Sequence, residues 1–451
     1  MNSIQPPVPR PLARRGFLAL AGAAGLTPLL AACGGGDSGS SSAGAQKSSG
    51  TKTGVLKFWV PNRGTPEFGI RSKQLVEGWK SKSGAYTATY QVIPAANLFQ
   101  TFQAAIASKT GPAVSEGYAF QAFQFADQGA ITYADHLYDA MKADGTYDDY
   151  LPGVVEPFKT DKGYAGVPWG LDMRVLWYRK SLLEKAGVAV PTDWPSYLAA
   201  GKELKKAGAF GWATAAGTGA SYGGHALVSL MINNGGGLFD ENGEPDATFD
   251  RNVEAMDFFR QMVDAGMVDP ASVSYTNQNL YDQWKSGKAA MGIANPSLGL
   301  EAGDTANDLA VMSPLTGPHG DKGTLQYLNN FMMYVESPNQ DASQEFLLWW
   351  LQQFKGDDGF FARGVTGSLP VFKSVVALPA IQKNANTVKI LKEWQPVGKN
   401  YSSRSTGLFA GLASVDAGTA INQFAQTMLA GKTDSKTALA TLQSGIKAVL
   451  A

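Results

Sequence analysis

The sequence predicts an α/β protein built as two lobes. Apolar, strand-like runs alternate with helix-periodic stretches from residue 55 onward. The 451 residues exceed what a single hydrophobic core commonly serves. A composition of 44% hydrophobic and 17% charged residues is that of a globular body, not a disordered one.

The N-terminus reads as an export segment. Arg14-Arg15-Gly16-Phe17-Leu18 opens an apolar run that ends at Ala32 and is broken by glycines and Pro28, too short to span a bilayer. It resembles a twin-arginine signal over residues 1–32, and Leu30-Ala31-Ala32-Cys33 resembles a lipobox, which implies lipidation at Cys33. Cys33 is the only cysteine, so neither an intrachain disulfide nor a cysteine metal site is available. Residues 33–53 are dominated by Gly, Ser, Ala and Thr and read as a flexible tether with a reach of roughly 25 Å. Lys plus Arg equal Asp plus Glu at 38 each; losing Arg10, Arg14 and Arg15 with the leader leaves 35 basic against 38 acidic residues, which gives no electrostatic case for nucleic acid.

Along the body, Val55 to Val60 reads as a buried strand closing at Pro61-Asn62-Arg63-Gly64, and Phe68 to Lys80 as a helix. A strand from Thr87 to Ile93 and a helix from Asn97 to Ser108 repeat the unit, followed by aromatics from Tyr118 to Phe125. Gly163 to Pro168 leads into a strand, Arg174 to Tyr178, and a short helix that Gly187 can cap. Asp193-Trp194-Pro195 starts a helix to Ala207; further helices span Val253 to Ala265, Tyr281 to Lys288 and Ala342 to Phe354, with strands at Ala289 to Ala294 and Phe331 to Val335. Phe346, Trp349, Trp350 and Phe354 recur at helical spacing and are read as packing.

The blocks GYAGVPWGLDMRVLWYRKSLLEKAGVAVPTDW, GGGLFDENG, WKSGKAAMGIAN and SPNQDASQEFLLWWL, in this order, resemble the extracellular solute-binding proteins of sugar-type ABC importers. The likeness runs from about Val55 to near the C-terminus, with Ala113 standing where the family often has an aspartate. It implies a type II periplasmic-binding-protein-like fold with a ligand cleft between lobes joined by hinge crossings. The crossings fall near Trp169–Asp172, Pro314–Pro318 and Gly367–Pro370, so that residues 54–168 and 318–368 form one lobe and 169–317 and 369–451 the other. The implied partners are a small solute, most simply a sugar, the importer's permease subunits, and the membrane through Cys33. A monomer without cofactor or metal is expected.

A sugar needs flat aromatic faces for its C–H surfaces and polar side chains for its hydroxyls. Candidates at strand ends and loops are Trp59, Asn62, Arg63, Tyr118, Phe120 and Gln121, with Trp169 and Asp172 at the first crossing. Tyr222, Asn295, Asn329 and Trp394 are ones the resemblance points inward. Asp172 is the leading candidate, against a hinge contact to Arg174.

An enzymatic alternative is a lipid-anchored hydrolase. Gly219-Ala220-Ser221-Tyr222-Gly223 fits the GxSxG elbow, but of His136, His225 and His319 only His319 is late enough in the chain, and the triple glycine follows the serine instead of preceding it. A glycoside hydrolase using paired carboxylates has no short motif to exclude it. Three scattered histidines exclude HExxH, and Gln426 occupies the first-glycine position of a phosphate loop ending at Gly431-Lys432-Thr433. The expectation is a binding protein, not an enzyme.

Overall fold

The computed structural model describes residues 53–94, 98–405 and 407–451. The export signal, Cys33, the tether up to Lys52 and the expected helix start at Asn97 lie outside them.

The larger lobe is organised on the strand Gly54–Pro61, which pairs in parallel with Tyr86–Ile93 on one side and with Val114–Gly117 on the other. A strand covered on both faces can be apolar almost throughout, as this one is. Its alternating side chains pack against different helices. Phe58 meets Phe346 and Trp350 edge-on at 5.1 and 5.4 Å on the helix Gln340–Gln352, while Trp59 meets Phe102 at 5.4 Å on the helix Leu98–Ala107. Beyond Val114–Gly117 the sheet continues antiparallel through Thr324–Tyr334 to Val167–Met173 and Leu369–Pro370.

Thr324–Tyr334 is an eleven-residue strand, much longer than the Phe331–Val335 expected from sequence. A register shift between Asn329 and Asn330 breaks the period-two pattern that would have revealed its first half.

The smaller lobe holds a three-stranded antiparallel sheet, Leu309–Val311, Val175–Arg179 and Met291–Ala294. Trp212 packs edge-on to Phe259 at 5.8 Å, and Trp194 stacks on Phe258 at 4.3 Å while its Nε1 donates to Asn233 Oδ1 at 2.7 Å. The helix beginning at Trp194 is held by a reciprocal cap between Asp193 and Ser196, and the preceding helix ends at Gly187 with φ +66°, a left-handed cap that glycine adopts without strain. The helix expected from Tyr281 starts instead at Asn277, because Thr276 and Asn279 form a capping box. The C-terminal helices Ala420–Ala430 and Ser435–Leu450 fold back onto this lobe.

Trp169 to Met173 stay in the large sheet, laddered to both Gln326–Asn329 and Leu369–Pro370, and the small-sheet strand begins at Val175. Arg174 alone separates the two strands. Among the described residues no helix is long and apolar enough to cross a membrane.

Candidate functional site

Between the lobes lies a cavity of about 440 Å³. Its wall collects residues from strand ends and the loops that follow them: Arg63 and Tyr118 after two parallel strands, Asp172 near the end of Val167–Met173, Asn295 after Met291–Ala294, and Tyr327 and Asn329 on the long antiparallel strand. Arg174, Ser221, His225, Ser297, Leu300, Glu301, the segment Thr366–Ser368 and Asp416 also line it. Crevices at strand ends are where open α/β sheets bind ligands, because side chains leaving adjacent strands diverge there around a space.

Two arginines organise the polar wall. The Arg63 guanidinium lies 4.9 Å from the Trp169 ring and 5.3 Å from the Tyr118 ring, and its Nε pairs with the Glu116 carboxylate. Arg63 Nη1 donates a long bond to Ser368 Oγ at 3.4 Å, and Asn329 Nδ2 reaches the same oxygen at 3.3 Å. Burial pushes the Glu116 carboxyl up to about 7, with Arg63 opposing the shift.

Arg174 donates from Nη1 to Asp172 Oδ2 at 2.9 Å and from Nε to His225 Nδ1 at 3.1 Å, and it stacks between Tyr222 and Tyr327 at 5.4 and 5.1 Å. His225 Nδ1 is therefore an acceptor and its ring is neutral; burial and the adjacent Arg174 charge hold its pKa well below that of free histidine. Its Nε2 faces Asp416 Oδ1 at 3.9 Å, and Asp416 accepts from the Tyr401 hydroxyl at 2.7 Å. Burial raises the Asp416 pKa.

Of the residues singled out from sequence, Arg63, Tyr118, Asp172, Asn295 and Asn329 lie on the cavity wall. Asp172 also makes the Arg174 contact weighed against its ligand role. The others do not line it. Trp59 packs on Phe102, and Phe120 packs between Tyr327 and Tyr401. Gln121 turns back to accept from the Tyr118 N–H at 2.9 Å, and Asn62 points away into solvent. Trp169 is fully buried beneath Arg63, Tyr222 lies under Arg174 with its hydroxyl 2.9 Å from that of Tyr281, and Trp394 is buried with Nε1 donating to the Met312 carbonyl at 2.8 Å. Trp59, Phe120, Trp169 and Trp394 are aromatic rings buried in the core instead of facing the cleft.

His225, Tyr327 and Asp416 were missed. Nothing local in the sequence links residues so far apart; Arg174 alone was legible, as the neighbour of Asp172.

The arrangement can hold hydroxyls but does not assemble a hydrolase. Ser221 and His225 share the cavity, yet His225 Nδ1 is occupied by Arg174 and its other nitrogen faces Asp416, which leaves no base poised on the serine. Asp172 and Asp416 are committed to Arg174 and Tyr401. What faces the cavity is a mixture of donors and acceptors beside two accessible apolar surfaces, Tyr118 at 36% and Leu300 at 65% exposure. Asn295 Oδ1 and Arg63 Nη2, on two of the lining residues, are buried without a partner among the described residues. The described residues contain no group of three or more His, Cys, Asp or Glu able to hold a metal ion.

Residues 69–353 match the family described as bacterial extracellular solute-binding protein. The chain is 50% identical to a sugar transporter from Arthrobacter chlorophenolicus A6 solved with bound laminaribiose, covering 88% of this chain and 100% of that one at a TM-score of 0.81. The GacH receptor of Streptomyces glaucescens GLA.O, solved unliganded and with acarbose, shares the fold at 23% identity and a TM-score of 0.68, over 88% of this chain and 98% of its own. A binding protein of Brucella abortus (strain 2308) is 22% identical over 376 residues, 76% of this chain and 86% of its own length.

Proposed function

The chain belongs to the bacterial extracellular solute-binding protein family, and from that premise we propose that its cleft captures a neutral saccharide and presents it to an ABC importer. The observation that carries the saccharide is the cavity wall. Tyr118 and Leu300 offer apolar surface to a sugar's C–H faces, while Arg63, Asp172, Arg174, Asn295 and Asn329 supply directional partners for its hydroxyls. The Arthrobacter sugar transporter supports the reading, since it holds laminaribiose and is half identical along its whole length. Family and fold are those of receptors that bind without chemistry. Because the wall is shared by both lobes, a solute bound in it has most contacts when the lobes are closed, and that differential affinity drives closure.

Adding laminaribiose to the mature protein at 100 times its dissociation constant is expected to raise stability by about 2.7 kcal/mol, read as a thermal shift, with the sugar recovered intact by mass spectrometry. A shift with amino acids or peptides but no saccharide would sink the sugar assignment, and recovery of cleaved sugar would return a hydrolase.

The protein is exported, as its family implies. The finer reading is that Cys33 carries the lipid and that residues 34–53 tether a monomeric receptor to the outer face of the membrane, since two or more acyl chains suffice for stable anchoring where one does not. Cys33→Ala is expected to move the protein from the membrane fraction to the soluble one; an unchanged membrane fraction would rule out this anchor.

A further inference from the structure

The two ion pairs at the cavity differ in where their charges sit. Asp172 and Arg174 both line the wall, and the Asp172 side chain is 27% exposed. Arg63 lines the wall as well, but its partner does not: Glu116 is 1% exposed, on the strand Val114–Gly117 two residues before Tyr118. A bound solute can touch the guanidinium and not the carboxylate behind it.

The groups that face Glu116 come from each neighbouring element. Arg63 comes from the loop after Gly54–Pro61, Tyr90 from the strand Tyr86–Ile93 with Ser72 of the helix Pro66–Gly78 beside it, and Tyr118 from the loop after its own strand. The strand Thr324–Tyr334 brings Phe331 opposite, flanked by the uncharged Asn330 and Met332, and the helix Gln340–Gln352 covers this face of the sheet with Phe346 and Trp350. Burial keeps both tyrosines protonated, with Tyr90 pushed up to about 12, so Arg63 is the charge that acts on Glu116.

The guanidinium in turn depends on Glu116 for direction. Its bond from Nη1 to Ser368 Oγ is long, at 3.4 Å, and the Trp169 and Tyr118 rings, at 4.9 and 5.3 Å, attract its charge without aiming its N–H groups. A hydrogen bond between two ions is about twice as strong as a neutral one, so a carboxylate fixes the fork where a protonated acid holds it weakly. Burial lifts the Glu116 carboxyl to about 7, which puts the change between these two conditions near neutral pH.

We propose that Glu116 is a positioning residue for solute capture: in its ionised form it aims Arg63 at the cavity, so that solute binding and loss of the Glu116 proton favour one another. This rests on the saccharide reading above, in which Arg63 meets the sugar. Calorimetric titration of the mature protein with laminaribiose is expected to show affinity rising roughly tenfold from pH 5 to pH 8, with protons released on binding at pH 6.5, read from the difference in heat between phosphate and imidazole buffers. Glu116→Gln, uncharged at every pH, should stay close to the low-pH wild-type affinity throughout and release no proton. Glu116→Asp restores a carboxylate and should restore a pH-dependent affinity. In an Arg63→Met background, Glu116→Gln should change the affinity by less than about twofold, because the residue acts through that arginine. Affinity that does not change with pH, or binding without proton release by the wild-type protein, overturns the inference whatever the variants do and leaves the sugar assignment standing. A folded Glu116→Gln protein that keeps the wild-type profile also overturns it, assigning the proton to another group of the wall such as Asp416. Absence of laminaribiose binding at every pH overturns the inference, and together with a thermal shift by amino acids or peptides but no saccharide it overturns the sugar assignment too.

Discussion

Arg174→Met is expected to weaken solute binding by on the order of 10–100-fold and to lower the unfolding free energy by about 3 kcal/mol. The arginine side chain is only 7% exposed and is engaged on every side: Asp172 at 2.9 Å, His225 Nδ1 at 3.1 Å, and the Tyr222 and Tyr327 rings at 5.4 and 5.1 Å. Burial works against its charge, and the Asp172 carboxylate together with Tyr327 and Tyr222 more than offsets it, so its pKa is raised. Methionine keeps much of the stem's volume but leaves Asp172 and His225 without their donor. Losing one member of a buried pair commonly costs 3–5 kcal/mol; Asp172, at 27% exposure, recovers some hydration, which places this case at the lower end. The urea midpoint at constant m-value measures the stability change and calorimetry the affinity. Arg174→Lys should restore charge and some stability but not the two-pronged contact to Asp172 and His225. Wild-type affinity in Arg174→Met would remove this residue from the site.

The stability of the protein should also fall as pH rises from about 4.5 to about 7, through Glu116. Its side chain is 1% exposed, and burial lifts its folded pKa from 4.5 to about 7 even beside Arg63. Within that window the folded protein keeps a proton that the unfolded chain has released, so each step upward in pH favours unfolding; above about 7 both states are ionised and the effect levels off. The loss from this one carboxyl is on the order of 3 kcal/mol. Glu116→Gln keeps the shape and an acceptor for Arg63 but cannot ionise. Wild type should therefore lose stability relative to the variant across the window, as followed by urea unfolding at successive pH values. A difference that does not change with pH would show that Glu116 titrates as an exposed carboxyl does.

Much of the architecture is local and could be read before folding. The run Phe58–Val60 is the part of a central strand covered on both faces, and Phe346, Trp350 and Phe354 recur at helical spacing because they meet Phe58 or its neighbours. Gly187 ends a helix because φ +66° is easy for glycine, and Arg63, Tyr118 and Asn295 reach the cavity because they follow directly on strand ends. Other features exist only in three dimensions. An aromatic residue beside a strand end carries the same local signal whether it faces ligand or core, and the helix packed behind it decides; Trp59, Trp169 and Trp394 went to the core for that reason. Arg174, His225, Tyr327 and Asp416 form one network because two strands, a helix and a returning C-terminal segment converge, and no periodicity along the chain encodes that meeting. The sequence by itself determined the strand–helix alternation and the positions where strands end, because these depend on neighbours within a few residues. Only the tertiary structure decided which of those ends face the cleft and which charges meet there, because contacts between distant segments are set by packing.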